Sequence, residues 1–176
     1  MQNKKFGLLA VIVAVVVIIG LVVAFVLPGM GIGGKSPEKL ADAFMEAFFD
    51  ADGKAMVNLL PDDVVDALME ESGMTKKEVI EELNYMLEEA GSYFTMAEEM
   101  GVKISYEIGD SESVKGDELD DIKDSYDELD VKVSAAKKVE VKIIAKYEGE
   151  KETETMDIYV VKIGGSWYLD ASSMDF

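Results

Sequence analysis

Residues 153–170 read TETMDIYVVKIGGSWYLD, and this stretch decides the class of fold. Met156, Ile158, Tyr159, Val160, Val161 and Ile163 place apolar side chains on both faces of one extended run, the composition of a strand central to its sheet. Gly164-Gly165 is a hairpin turn signal, and Trp167-Tyr168-Leu169 starts the partner strand. Upstream, Val139, Val141, Ile143, Ala145 and Tyr147 alternate as far as a turn at Glu148-Gly149-Glu150. Farther back, Val102, Ile104, Tyr106 and Ile108 alternate with Lys103, Ser105 and Glu107. Each period of two predicts a half-buried strand. Between these two segments, Leu119, Ile122, Tyr126 and Leu129 return to helical spacing inside a very acidic stretch.

Ahead of Val102 the pattern is helical. Ser36-Pro37 reads as an N-cap followed by proline at the first helical position, with Leu40, Phe44, Ala47 and Phe48 as the apolar stripe. Asp52-Gly53 is expected to end that helix. A short helix over 54–60 carries Met56, Leu59 and Leu60 and stops at Pro61. Another begins near Asp62-Asp63 and runs to Gly73. Thr75 and Glu78 form a capping-box pair ahead of Val79, Leu83, Met86 and Leu87. Residues 90–101 fit either a helix extension or a packed loop. Helices precede an antiparallel sheet, so the expected class is α+β.

The N-terminus reads differently. Phe6–Leu27 is an uncharged run of 22 residues, apolar except for Gly7 and Gly20. As a helix it would span about 33 Å, enough for a hydrocarbon core of about 30 Å. Lys4 and Lys5 precede it and all 36 acidic residues follow it. The positive-inside rule then gives a cytoplasmic tip (1–5), a transmembrane helix (6–27), a Gly-rich tether (28–35) and an extracytoplasmic domain (36–176). The run is longer than a signal-peptide core, and Phe25-Val26-Leu27-Pro28 offers no small-residue cleavage site. Ala10/Ala14 and Gly20/Ala24 recur at four-residue spacing, a pattern compatible with a homodimer seam in the transmembrane helix.

Missing residue types exclude whole chemistries. The chain has no His, Cys or Arg, and its formal net charge is −19. Thiol and imidazole catalysis, disulfides and ordinary zinc, haem or iron–sulfur sites are therefore out, and nucleic acid is not an expected partner. Residues 29–36, GMGIGGKS, match the phosphate-cradling G-x-x-x-x-G-K-S. The context fails, because a membrane span precedes the glycines and no alternating βα units follow, so a tether is expected and no nucleotide site. In the 117–130 segment, Asp117, Asp121, Asp124 and Glu128 would stack along one helix face. Carboxylates alone suit only calcium or magnesium, yet the loop counted from Asp110 carries Lys115 where an EF-hand needs Gly. A solvated outer face is the expectation, with no metal and no cofactor. Phe44, Phe48, Tyr106, Tyr159 and Trp167 are the candidate lining of a ligand cavity, with core filling as the other reading of the same residues.

From Ser36 onward the chain resembles the NTF2-like (cystatin-like α+β) superfamily, notably its membrane-anchored bacterial members of unknown function. The likeness rests on SPEKLADAFMEAFFDADGKAMVNLL (36–60), a capped helix with paired aromatics before an Asp-Gly step and a second short helix. It rests also on MDIYVVKIGGSWYLD (156–170), a strand, a Gly turn, then Trp. The resemblance implies a cone of helices closing over a curved antiparallel sheet, with the Trp167 ring packed on the helical layer. Relatives such as ketosteroid isomerase and scytalone dehydratase place acid–base residues in that cone. The dehydratase-type His is absent here, no isomerase-type Asp/Tyr pair aligns, and the acidic 117–130 insertion departs from the minimal pattern. The leading expectation is a non-enzymatic membrane-tethered domain binding a small ligand or an envelope protein. An isomerase- or dehydratase-type enzyme using a buried carboxylate with Tyr106 or Tyr159, and a purely structural envelope module, are the alternatives.

Overall fold

The computed structural model describes residues 36–171. The predicted span (6–27) and tether (28–35) lie outside them, as does all of the GMGIGGKS segment but Ser36. Among the described residues no helix is long and apolar enough to cross a membrane.

The described residues form five helices and four strands in the order α1 (Pro37–Phe49), α2 (Gly53–Val57), α3 (Asp62–Ser72), α4 (Lys76–Glu99), β1 (Lys103–Ser113), α5 (Asp117–Asp127), β2 (Val133–Tyr147), β3 (Glu150–Ile163) and β4 (Ser166–Leu169). The α+β expectation holds: the strands form one antiparallel sheet in the order β1-β2-β3-β4. Caps set most boundaries. The Ser36 hydroxyl accepts from Lys39 N–H at the start of α1, and the Thr75/Glu78 capping box opens α4. Gly73 closes α3 at φ +66°, where a side chain would be strained. The ambiguous 90–101 segment is helical as far as Glu99, with Ala90 and Ala97 buried.

Asp52-Gly53 does not end the first helix. Phe49 is its last residue, Ala51 takes a left-handed φ of +53°, and Asp52 N–H bonds back to Ala47 O at 2.8 Å. Asp52 instead caps α2, accepting from Ala55 N–H at 2.8 Å. Gly53 serves close approach: its N–H donates to Asn84 Oδ1 of α4 at 2.8 Å, and an added Cβ would sit 2.6 Å from that oxygen. Gly53→Ala is therefore expected to destabilise the fold by about 1–3 kcal/mol by forcing α2 off α4. A urea midpoint unchanged from the parent would show that the joint yields freely.

The sheet is longer than the apolar alternation suggested. β1 continues to Ser113 and β2 begins at Val133, because Glu112 and Ser113 pair with Lys138 and Lys137. Charged residues hid those rungs from a reading based on hydrophobicity. Register shifts between Ile108 and Ser111 in β1 and between Val133 and Ala135 in β2 add bulges that curl the sheet. The helices pack on one face of it: α1 crosses all four strands, and Phe44, Met45 and Phe48 meet a sheet core that includes Val139, Val141, Ile143, Ile158 and Val160. Leu169 N–H bonds to Leu59 O at 2.8 Å, tying β4 to the end of the α2 turn. α5 covers part of the opposite face, with Ile122 and Tyr126 buried. Elsewhere on that face, beside the buried Ile144, polar side chains pair, with Lys138 3.9 Å from both Glu112 and Asp157 and Lys142 2.9 Å from Glu140.

Candidate functional site

The five aromatic candidates fall into three environments. Phe44 and Phe48, four residues apart on α1, are fully buried, and their ring centroids lie 6.5 Å apart. Phe48 also meets Phe94 of α4 edge-on at 5.6 Å. These two fill the core. Tyr106 is half-buried on the helix-facing side of β1 and stacks on Phe49 at 5.6 Å. Tyr159 lies across the sheet. Ile158 pairs with Val139 on the core face, so its neighbour Tyr159 points the other way, and its hydroxyl donates to Glu118 of α5 at 2.8 Å. Trp167 pairs with Lys162 on the helix-facing side of the short β4. It is half-buried at that edge, packed against the core on one side, with the Lys162 ammonium 5.5 Å from its ring.

Tyr106 lines an open groove of about 640 Å³ between α1 and β1. Glu38, Lys39 and Asp42 come from the exposed edge of α1, and Tyr106, Ile108 and Gly109 from β1 where the bulge begins. The Tyr106 hydroxyl donates to Asp42 Oδ1 at 3.1 Å. Burial, the Asp42 hydrogen bond and the charges of Asp42, Glu46 and Asp50 together push the Tyr106 phenol up to about 12. Those carboxylates recur every four residues along α1, so the helix lays a row of negative charge beside the groove. At its far end Lys137 Nζ donates to Ser111 Oγ at 3.0 Å, and that hydroxyl donates to Glu38. The Ser111 hydrogen bond, with Lys137 nearby, holds the Glu38 carboxyl below its ordinary value. The groove thus combines two hydrogen-bonded carboxylates, the Lys39 ammonium, the Tyr106 phenol and the Ile108 side chain.

Glu38 and Asp42 carry no mark of a site in the sequence, where they are polar positions of an amphipathic helix. Their four-residue spacing puts them on one helix face, and the strand they face was not knowable from it. Nor does the sequence mark Asp170, the buried charged side chain among the described residues, at 9% exposure. Asp170 hydrogen-bonds to Tyr126 of α5 and so belongs to the α5 side of the sheet, apart from the groove.

The acidic 117–130 segment is largely helical, with Asp117, Asp121, Asp124 and Glu128 all exposed, as a solvated face requires. No group of three or more acidic side chains is arranged to hold a metal ion among the described residues. No protein-family model, curated protein or solved structure matches the chain.

Proposed function

We propose that the chain is a membrane-tethered extracytoplasmic binding domain of the NTF2-like type, whose α1–β1 groove receives a small ligand carrying a protonated amine. The observation that carries this reading is the groove itself. Glu38 and Asp42 stand on one wall, held by Ser111 and Tyr106, while Ile108 offers apolar surface opposite. Preset carboxylates beside an apolar wall favour a cation with a short aliphatic body. Anchoring through residues 6–27 would hold this groove at the outer membrane surface. The isomerase- or dehydratase-type alternative needs a buried carboxylate beside Tyr106 or Tyr159, whereas their partners are the half-buried Asp42 and the exposed Glu118. That supports binding over isomerase- or dehydratase-type chemistry.

Titration of the detergent-solubilised full chain with n-butylammonium tests the reading. Saturable binding is expected, weakened at least tenfold by Asp42→Asn and unchanged by Asp121→Asn on the far face. Equal binding of neutral n-butanol, or an Asp42→Asn variant with unaltered affinity, would overturn it.

A further inference from the structure

A second surface is independent of the groove. The longest helix, α4, buries Val79, Leu83, Leu87, Ala90 and Ala97 on one side. On another it exposes Tyr85, Tyr93 and Met96, each more than half accessible, and Met100 at its C-cap continues the line at 55%. At 100° per residue these four fall within an arc of about 80° over about 22 Å, with the exposed Glu89 in the same arc between Tyr85 and Tyr93. Singly scattered exposed apolar residues need no explanation, but Tyr93, Met96 and Met100 adjoin at helical spacing as a stripe, with Tyr85 two turns upstream beyond Glu89. Tyr and Met suit a docking role, since their large side chains contribute contact area and adapt to irregular partners.

The charge around the stripe selects the occupant. Glu78, Glu81, Glu82, Glu88, Glu89, Glu98 and Glu99 are all exposed on α4, whereas its lysines, Lys76 and Lys77, sit in the first turn. Lys77 is already paired with Glu81 at 2.8 Å. From Glu88 to Met100 the helix carries no cation at all. A second copy of this chain would bring the same acidic rim against itself, within a molecule of net charge −19. An anionic lipid surface would be repelled in the same way. We propose that the outer face of α4 docks a cationic amphipathic helix of a partner protein, with its apolar residues on Tyr85, Tyr93, Met96 and Met100 and its basic residues on the flanking glutamates. The two helices would pack side by side, through anchors at helical spacing on each.

The probe is a labelled 18-residue peptide with Leu on one helical face and Lys on the other. Its fluorescence anisotropy is followed against the full chain in phosphatidylcholine nanodiscs, with empty discs subtracted. Saturable binding is expected, weakening as salt rises. Tyr93→Ser/Met96→Ser should weaken it at least tenfold with an unchanged circular dichroism spectrum. Should that variant not fold, Glu88→Gln/Glu89→Gln keeps the stripe and should weaken binding several-fold, while Asp121→Asn should not. Neither change should alter the n-butylammonium titration, so the two proposals fail separately. Equal binding of a peptide with every Leu replaced by Ser would overturn docking, leaving only attraction to a polyanion. Binding to the chain no greater than to empty discs would overturn it too. Self-association of the chain, abolished by Tyr93→Ser/Met96→Ser in sedimentation equilibrium, would give the stripe to a second copy and also overturn it.

Discussion

Phe48→Ala is expected to lower the unfolding free energy of the domain by about 3–5 kcal/mol. The ring is 2% exposed and sits where two helices meet. Its centroid lies 6.5 Å from Phe44, 5.7 Å from Phe49 and 5.6 Å from Phe94, the last two edge-on. Truncation removes the transfer free energy of the ring and leaves a cavity walled by aromatic side chains on α1 and α4. Those helices are each held at capped N-termini, so the cavity closes poorly. Against a typical domain stability of about 5–15 kcal/mol the loss is about a fifth or more, a fall in Tm on the order of 10–20 °C. Tyr93→Ala, on the exposed side of α4, should change stability by no more than about 0.5 kcal/mol. Circular dichroism melts of the full chain in detergent read both. A Phe48→Ala variant within 1 kcal/mol of the parent would mean that the aromatic cluster is not the joint between α1 and α4.

Tyr126→Phe keeps the ring and removes one oxygen, yet it should cost about 2–4 kcal/mol. Tyr126 is 1% exposed, and its hydroxyl accepts from Ala171 N–H at 2.8 Å while hydrogen-bonding to the Asp170 carboxylate. Removing the oxygen strands the Ala171 amide in a dry site and takes a partner from a buried charge. Each such loss is worth about 1–3 kcal/mol. The same hydroxyl gives the fold an alkaline limit. Burial first, and the Asp170 charge second, push the Tyr126 phenol well above its ordinary value of 10.0. A raised folded-state pKa means the native chain keeps a proton that the unfolded chain releases. The stabilisation is therefore complete below pH 10 and lost as pH rises beyond it, by about 1.4 kcal/mol per pH unit for each retained proton. Tyr106 and Tyr159, pushed up to about 12, act in the same direction, as do the exposed Lys77 and Lys142 to a smaller, solvent-screened extent. Urea unfolding at pH 9, 10 and 11 should show a falling midpoint in the parent and a shallower fall in Tyr126→Phe. Identical slopes in the two proteins would remove Tyr126 from the account.

Where local rules govern, the sequence was explicit. Ser36, Thr75 and Gly73 cap helices through their own backbone neighbourhoods, and those boundaries were readable within a few residues. The change of apolar period near Val102 announced the sheet, and Gly164-Gly165 announced the last hairpin. Reading failed where a boundary depended on distant pairing. The rungs Glu112–Lys138 and Ser113–Lys137 are charged or polar, so β1 and β2 looked shorter than they are. Asp52-Gly53 looked like a helix stop because the αL residue that ends α1 is Ala51, not a glycine.

The candidate site shows the same division. Sequence alone determined that Tyr106 and Tyr159 lie on strands, that the 117–130 carboxylates line a helix, and that thiol and imidazole chemistry is absent. A period of two assigns alternate residues to opposite faces, but it does not say which face the helices cover. Bulges at 108–111 and 133–135 shift the register besides, and only strand pairing locates them. Tertiary structure alone therefore decided that Tyr106 meets Asp42, 64 residues away, while Tyr159 meets Glu118 on the other side of the sheet. It also decided that Tyr126 clamps Asp170 and Ala171 rather than serving as one more apolar residue in a stripe. Hydrogen bonds between side chains so far apart form only after the chain has chosen its packing, and no local pattern encodes them.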